Sequence, residues 1–422
     1  MKKNGKQLFN REAKIGQQEP LPGLYVHWPY CVSKCPYCDF NSHIRQVFDE
    51  QQYVEAICSE LDYLIEKTAE KGSAAPPLGS IFFGGGTPSL MQPATVGALL
   101  DYIKSRFSLS RDVEITLEAN PSSVEAARFK ALCEAGINRV SLGVQALHDE
   151  ALLVLGRAHG VAEALAAIAL ASDCFPRVSF DLIYGRHGQQ LADWREELKR
   201  GIDLSDGHLS LYQLTIEEGT QYKNLFDRGE LHLPSNDRAL RFFEETGKIC
   251  EDAGLFAYEI SNYAAEQQQS RHNLVYWRYG TYMGVGPGAH GRIMCGGQRQ
   301  ATAALRSPKR WLAQVDRLGH GFETQSPLTL DEQADEMLLM GMRLTSGIDL
   351  TRLKALCART VSPQKIDELV EAGLCEFSSR DNLLRATSRG IPVLNLLVEQ
   401  LSAGLEPAPA CEAKKPELNG LD

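Results

Sequence analysis

HWPYCVSKCPYCDFNS, residues 27–42, sets Cys31, Cys35 and Cys38 in the spacing C-x3-C-x2-C directly after a short β-rich run, LYVHW (24–28). Three thiolates match three irons of a cubane [4Fe–4S] cluster and leave the fourth iron without a ligand from this loop, open to something exchangeable. A structural zinc wants four ligands, and His27 or His43 would complete such a set, so zinc stays open at this point. The other eight cysteines, Cys58, Cys133, Cys174, Cys250, Cys295, Cys357, Cys375 and Cys411, are scattered singly. With an odd total and no export signal they read as isolated thiols, not a disulfide framework.

Outward from this loop, short β-rich runs alternate with longer helical patterns up to about Gly254. The runs are LYVHW (24–28), SIFFG (80–84), VEITLEA (113–119), RVSLGV (139–144), RVSFDLIYG (177–185) and HLSLYQLT (208–215). Between them, the segment 48–71 spaces Tyr53, Ile57, Leu61 and Leu64 on one helical face, and 122–135 and 236–253 carry similar stripes. Parallel strands joined by helical crossovers must be covered by helices and wind right-handed. Six units fall short of the usual eight, so the expected fold is α/β, a partial (β/α)6 TIM-like barrel with a lateral mouth.

In such a barrel, sites form at the C-terminal ends of the strands. That end of the first strand carries the cysteines. The second ends in FFGGGTPS (82–89), where Gly84, Gly85 and Gly86 let backbone approach a ligand before Thr87. Glu118 ends the third strand in TLEANP, Gln145 the fourth in SLGVQ, Asp181 lies in the fifth in FDLIYG, and Arg157 follows in LGRAH. Taken singly, each reads equally well as a satisfied core group or a helix cap; taken together they converge on one mouth.

The remaining chain divides into a flexible tail at 1–20, the barrel at 21–260, an aromatic and glycine-rich connecting region at 261–327, a small helical, winged-helix-like domain at 328–402, and a Pro- and charge-rich tail at 403–422. The polar first twenty residues and the lack of a long apolar run point to a cytoplasmic protein that is not an integral membrane protein. A net charge of −10, from 44 basic and 54 acidic residues, argues against nucleic acid as a partner.

The cysteine loop, FGGGTPS, EANP, RVSLGVQ, SFDLIYG, YEISNYA and SRHNLVYWRYGTYMGVGPGAHGR together resemble the radical SAM superfamily, over about Leu21 to Leu401. The resemblance implies a [4Fe–4S] cluster on Cys31, Cys35 and Cys38 and an exchangeable S-adenosylmethionine (SAM) on the open iron. It further implies SAM contacts from Tyr25, Tyr37, Gly85, Gly86, Thr87, Glu118, Gln145, Arg157 and Asp181. Within the superfamily the likeness is to the haem chaperones related to the oxygen-independent coproporphyrinogen III dehydrogenases. Those dehydrogenases usually carry a fourth cysteine two positions after the third; here Phe40 stands there. The chaperone branch also has a segment like HNLVYW (272–277), which implies haem as cargo and His272, Tyr276, Trp277 and His290 as candidate haem residues. Imidazole is the commonest axial haem ligand, although a histidine among aromatics also serves as plain packing.

The expected function is therefore haem binding and transfer to an acceptor protein, a haem enzyme of either soluble or membrane-associated type. The alternative is a radical SAM enzyme acting on coproporphyrinogen III or another tetrapyrrole, with the dehydrogenase activity itself not expected. A third reading makes the C-terminal domain a docking or DNA-binding module, which the acidic charge disfavours. One departure concerns the fifth strand: relatives commonly continue DLIYG with Leu-Pro, whereas Arg186 and His187 follow here, and without proline that turn is expected to be looser or reshaped.

Overall fold

The computed structural model describes residues 19–45, 49–69 and 76–408. The tails expected at 1–20 and 403–422 lie mostly outside the described residues. The rest falls into two compact units that divide at Leu328 and Thr329.

In the larger unit six strands, β1 (Gly23–Trp28), β2 (Leu78–Gly85), β3 (Leu109–Ala119), β4 (Arg139–Gln145), β5 (Arg177–Tyr184) and β6 (His208–Gln213), pair in parallel in sequence order. Helical segments connect them, among them Glu50–Thr68, Pro93–Arg106, Val161–Cys174 and Leu191–Leu204. The helix expected within 48–71 is Glu50–Thr68, capped by the Asp49 carboxylate accepting from Gln52 N–H. A seventh strand, β7 (Tyr282–Val285), pairs in parallel on the free edge of β1, followed by the antiparallel β8 (His290–Cys295), β9 (Gln298–Ala304) and β10 (Phe322–Pro327). Beyond β6 the sheet continues with Asn262–Ala264 and Phe256–Ala257. The twelve-stranded sheet thus has two free edges, and the barrel is open. The region 261–327 contributes Asn262–Ala264 near one edge of the sheet, the short helix Arg271–Trp277 and the four strands at the other edge.

The parallel strands alternate strictly. Leu24 and Val26, Ile81 and Phe83, Ile115 and Leu117, Val140 and Leu142, Phe180 and Leu182, and Leu209 and Leu211 form a continuous apolar core. Trp28, Trp194 and Trp311, all fully buried, belong to the same core. The intervening residues belong to the opposite face, because successive side chains of a strand point to opposite sides. That inner face is largely polar: Ser80, Glu114, Thr116, Arg139, Ser179, His208 and Ser210 are all buried, with the rings of Tyr25 and Phe82 among them. The closed eight-stranded barrel fills its interior with layers of apolar side chains. Here inward side chains near the strand starts, the floor of the barrel, hydrogen-bond across the interior, Arg139 to Ser179 Oγ at 2.7 Å and His208 Nε2 to Tyr258 OH at 3.0 Å.

The smaller unit contains helices Leu330–Gly341, Leu350–Cys357, Pro363–Glu371 and Leu394–Ala403. Thr329 and Glu332 close a reciprocal capping box on the first of these. The segment NLLRATSRG (382–390) contains the strand Leu383–Ala386. Cys375–Ser378 and Leu383–Ala386 form a hairpin that Ile348–Asp349 joins, giving the three-stranded wing of a winged-helix arrangement.

Candidate cluster and cofactor site

The cysteine loop leaves β1 through Pro29 and is tied down along its length. Tyr30–Cys31 pairs with His43–Ile44, Cys38 N–H donates to Cys35 O at 3.1 Å, and Tyr222 N–H donates to Pro36 O at 2.9 Å. Gly86 N–H donates to Trp28 O at 2.6 Å, and a Cβ at Gly86 would stand 2.5 Å from Tyr30 O, so only glycine lets the two loops touch. Gly85 holds φ at +113° and turns its N–H onto Glu118 Oε2 at 3.1 Å.

These elements enclose a cavity of about 410 Å³. Its wall carries Cys31, Cys35, Cys38, Tyr37, Gly85, Gly86, Thr87, Glu118, Gln145, Arg157 and Asp181. Eight of the nine residues expected to contact SAM therefore share one cavity with all three cysteines. Tyr25 lies just beside it, its ring against Gly84 and its hydroxyl 3.0 Å from His27 Nδ1. Phe40, two positions after Cys38, is 58% exposed on the rim. Asn120, absent from the sequence reading, links the wall: its amide accepts from Arg157 and donates to Thr87 Oγ1 at 3.3 Å. Its place in EANP, one residue past the end of β3, is the signal that marks it.

The donor set fits an iron–sulfur cluster. All three cysteines are free thiols; Thr87 Oγ1 donates to Cys31 Sγ at 3.4 Å and Arg157 Nη1 to Cys35 Sγ at 3.1 Å. Such donors stabilise thiolates. Burial pushes the Cys31 and Cys38 thiols up, so it is the bound irons that would hold them ionised. The histidines that would complete a zinc site are committed elsewhere: His27 meets Tyr25 OH through Nδ1 and Asn41 O through Nε2 at 2.9 Å, and His43 Nε2 meets Arg306 O at 3.2 Å. Among the described residues no group of three or more His, Cys, Asp or Glu is placed to hold a single metal ion. All three cysteines line one cavity, and three thiolates are a ligand set for three irons of a cubane cluster.

The rest of the wall fits a charged, zwitterionic ligand. Burial, and next to it the Asp181 charge, raises the Glu118 carboxyl to about 8. Burial raises Asp181 to about 6 against the pull of Ser210, Arg139 and Arg157. A cation bound beside these carboxyls would favour their ionised forms. Arg157 spends Nη2 on Gly143 O at 2.8 Å, yet its buried Nε has no partner. Gln145 sits at φ +72°, a left-handed conformation rare for a non-glycine residue and characteristic of binding sites.

The candidate haem residues do not line this cavity. His272 is 6% exposed on the inner face near the floor, its ring stacked on Phe82 at 4.9 Å and its Nδ1 2.9 Å from Ser80 Oγ. Burial lowers it to about 4, so it is a neutral imidazole. Tyr276 meets its edge at 6.3 Å, and Trp277 packs on Tyr276 at 4.8 Å. Tyr25 bridges the two levels, stacked on His272 at 6.3 Å while feeling the Glu118 charge above it. His290 starts β8 on the exposed side, and no hydrogen bond or ring contact joins it to His272 among the described residues. The expected looseness after Gly185 is corrected: Arg186 turns inward into a buried ion pair with Glu197, whose carboxylate also accepts from Leu147 N–H at 2.7 Å and Gln189. That pair locks the turn without a proline.

Fold and site define a radical SAM protein: the model of the Radical SAM superfamily matches residues 25–200, and that of the HemN C-terminal domain matches 328–393. Within this class the chain belongs to the HemW family. It is 36% identical over 386 residues to the heme chaperone HemW of Escherichia coli, covering 90% of this chain and 98% of that protein. It is 38% identical over 409 residues to the mitochondrial radical S-adenosyl methionine domain-containing protein 1 of Bos taurus, covering 93% and 91%. The solved structure of the E. coli coproporphyrinogen III oxidase HemN shares the fold, with a TM-score of 0.72 at 20% identity over 93% of this chain and 92% of that one.

No helix among the described residues is long and apolar enough to cross a membrane.

Proposed function

We propose that this chain is a haem chaperone: it binds haem inside its open barrel, passes it to an acceptor protein in the cytoplasm, and carries a [4Fe–4S] cluster with SAM at the barrel mouth. The observation that carries this reading is that HNLVYW is built into the barrel itself. It puts the His272 ring in an aromatic stack with Phe82 and Tyr25, beneath the cavity that Glu118 and the cysteines line. A neutral imidazole is the protonation state that binds iron, and flat aromatic surface suits a porphyrin.

At the mouth, Cys31, Cys35 and Cys38 hold the cluster, Gly85, Gly86 and Thr87 cradle SAM, and Glu118, Asp181, Gln145, Arg157, Tyr25 and Tyr37 orient it. When bound, the cluster and SAM supply reductive cleavage to a 5′-deoxyadenosyl radical. Phe40 favours the chaperone over the dehydrogenase: at the rim it offers exposed apolar surface where those relatives usually have a thiol.

Anaerobic reconstitution followed by haem titration tests the reading. A Soret band that weakens in His272→Ala, with no conversion of coproporphyrinogen III in the presence of SAM and reductant, is expected. Conversion of coproporphyrinogen III would replace the chaperone with the enzyme.

A further inference from the structure

We infer that Ser80 and Glu114 are positioning residues for His272: Glu114 fixes the short helix that carries it, and Ser80 Oγ accepts the hydrogen bond from the Nδ1–H that the ring must keep when Nε2 binds a haem iron. The inference rests on the haem reading above and assigns two residues that neither the motif nor the cavity includes.

The imidazole argument is one of proton placement. A neutral histidine that binds metal through one nitrogen carries its proton on the other, and such a ring nearly always donates that proton to a fixed partner. His272 Nδ1 has Ser80 Oγ at 2.9 Å, while among the described residues no hydrogen bond joins Nε2 to another group. Ser80 is itself fully buried on β2, where it can rotate from donor to acceptor without losing the contact. The ring plane is held by Phe82, at 28° and 4.9 Å, so rotation about its bonds is restricted and Nε2 is the nitrogen left for a ligand.

The helix argument is one of anchoring. Arg271–Trp277 has seven residues, too few to be stable alone. Its start is pinned from a different strand. Glu114 Oε1, on β3, accepts from His272 N–H at 3.1 Å and from Ser270 Oγ at 3.3 Å, while Ser270 Oγ accepts from Asn273 N–H at 3.3 Å. The other oxygen, Oε2, is paired with Arg177, with Arg139 Nε at 4.0 Å. Glu114 thus binds the floor of the barrel to the backbone of the very residue whose ring Ser80 orients.

The test uses the full chain labelled with ¹⁵N-histidine, titrated with zinc protoporphyrin IX, a diamagnetic stand-in for haem that leaves the histidine signals readable. In the wild type, porphyrin binding is expected to shift the His272 nitrogens and leave a slowly exchanging Nδ1–H. Ser80→Ala is expected to lose that protected proton and to bind about tenfold or more weakly. Glu114→Gln is expected to speed amide exchange at 270–273 while Ser80→Ala leaves it unchanged. If the wild-type His272 signals shift but Ser80→Ala keeps both the protected Nδ1–H and its affinity, the positioning role is overturned and the haem reading stands. If the His272 signals do not move and His272→Ala binds as wild type does, the haem reading itself falls.

Discussion

At the mouth of the barrel, Arg157 keeps a buried Nε without a partner, Gln145 holds φ at +72°, and Glu118 and Asp181 lie beside each other with raised carboxyls. At the floor, Glu114 gathers Arg177, Arg139, Ser270 and the N–H of His272 around one carboxylate. Both regions are buried, polar and built from the same strands. The mouth leaves groups under-satisfied and backbone strained, which a fold tolerates where a ligand restores the balance. The floor holds its charges paired, which fixes an element in place.

The largest effect should come from the mouth. Cys35→Ala removes one of three cluster ligands, and iron and sulfide content after anaerobic reconstitution should fall to near background, together with SAM binding. Haem titration of the same variant should change by less than about twofold, since His272 sits at a separate level. A parallel loss of haem binding would break the separation of mouth from floor.

The floor should answer in stability instead. Glu114→Ala strands Arg177 and Arg139 as buried charges, and removing one partner of a buried ion pair costs about 3–5 kcal/mol. Denaturant unfolding of the large unit should show it. Glu118→Gln, equally buried, should cost nothing at neutral pH. Its folded pKa of about 8 lies above the unfolded value, so the stability it contributes is complete below the unfolded pKa and lost as pH rises through about 8. The glutamine variant should therefore gain on the wild type as pH goes from about 5 to 9.

The same carboxyl gives a smaller effect on ligand binding. SAM carries a sulfonium cation, which favours ionised Glu118; affinity in the wild type should rise between about pH 6 and 8 and level off above. In Glu118→Gln the rise should shrink and binding at pH 8 should weaken by about tenfold, equal to one unit of pKa coupling. Calorimetry with cluster-loaded protein at several pH values reads both. An unchanged pH slope would mean that Glu118 does not face the ligand's charge.

What the sequence made legible follows the same division. Alternating apolar residues and loop glycines exposed β1 to β6 and the mouth, since C-x3-C-x2-C, GGGT and the strand-end Glu118 and Gln145 are local patterns. The floor is not local. Ser80 and His272 are 192 positions apart, and Glu114 and His272 158 apart. A polar residue alternating with apolar ones reads as solvent-facing, whereas here Ser80, Glu114 and Arg139 face a barrel interior. Crossover helices already claim the apolar face, which turns these residues inward. The antiparallel strands 290–327 escaped because segments such as CGGQRQATAALRS carry no clear two-residue alternation. Arg186 in place of the usual Leu-Pro reads as a looser turn, and only its partner eleven positions on, Glu197, reveals a lock.

The smallest expected effect tests whether the mouth's strain is real. A left-handed conformation costs a non-glycine residue about 1–3 kcal/mol, which glycine avoids, although glycine also adds entropy to the unfolded chain. Gln145→Gly should therefore stabilise the fold by about 1 kcal/mol or less while weakening SAM binding, because the amide is gone from the cavity wall. Gln145→Ala separates the two contributions: it loses the amide but keeps the strain, so it should bind SAM as weakly as the glycine variant without the gain in stability. Equal stability of the two variants would mean that the backbone relaxes at this position, and the contrast between a strained mouth and a paired floor would then rest on Arg157 and the two carboxyls alone.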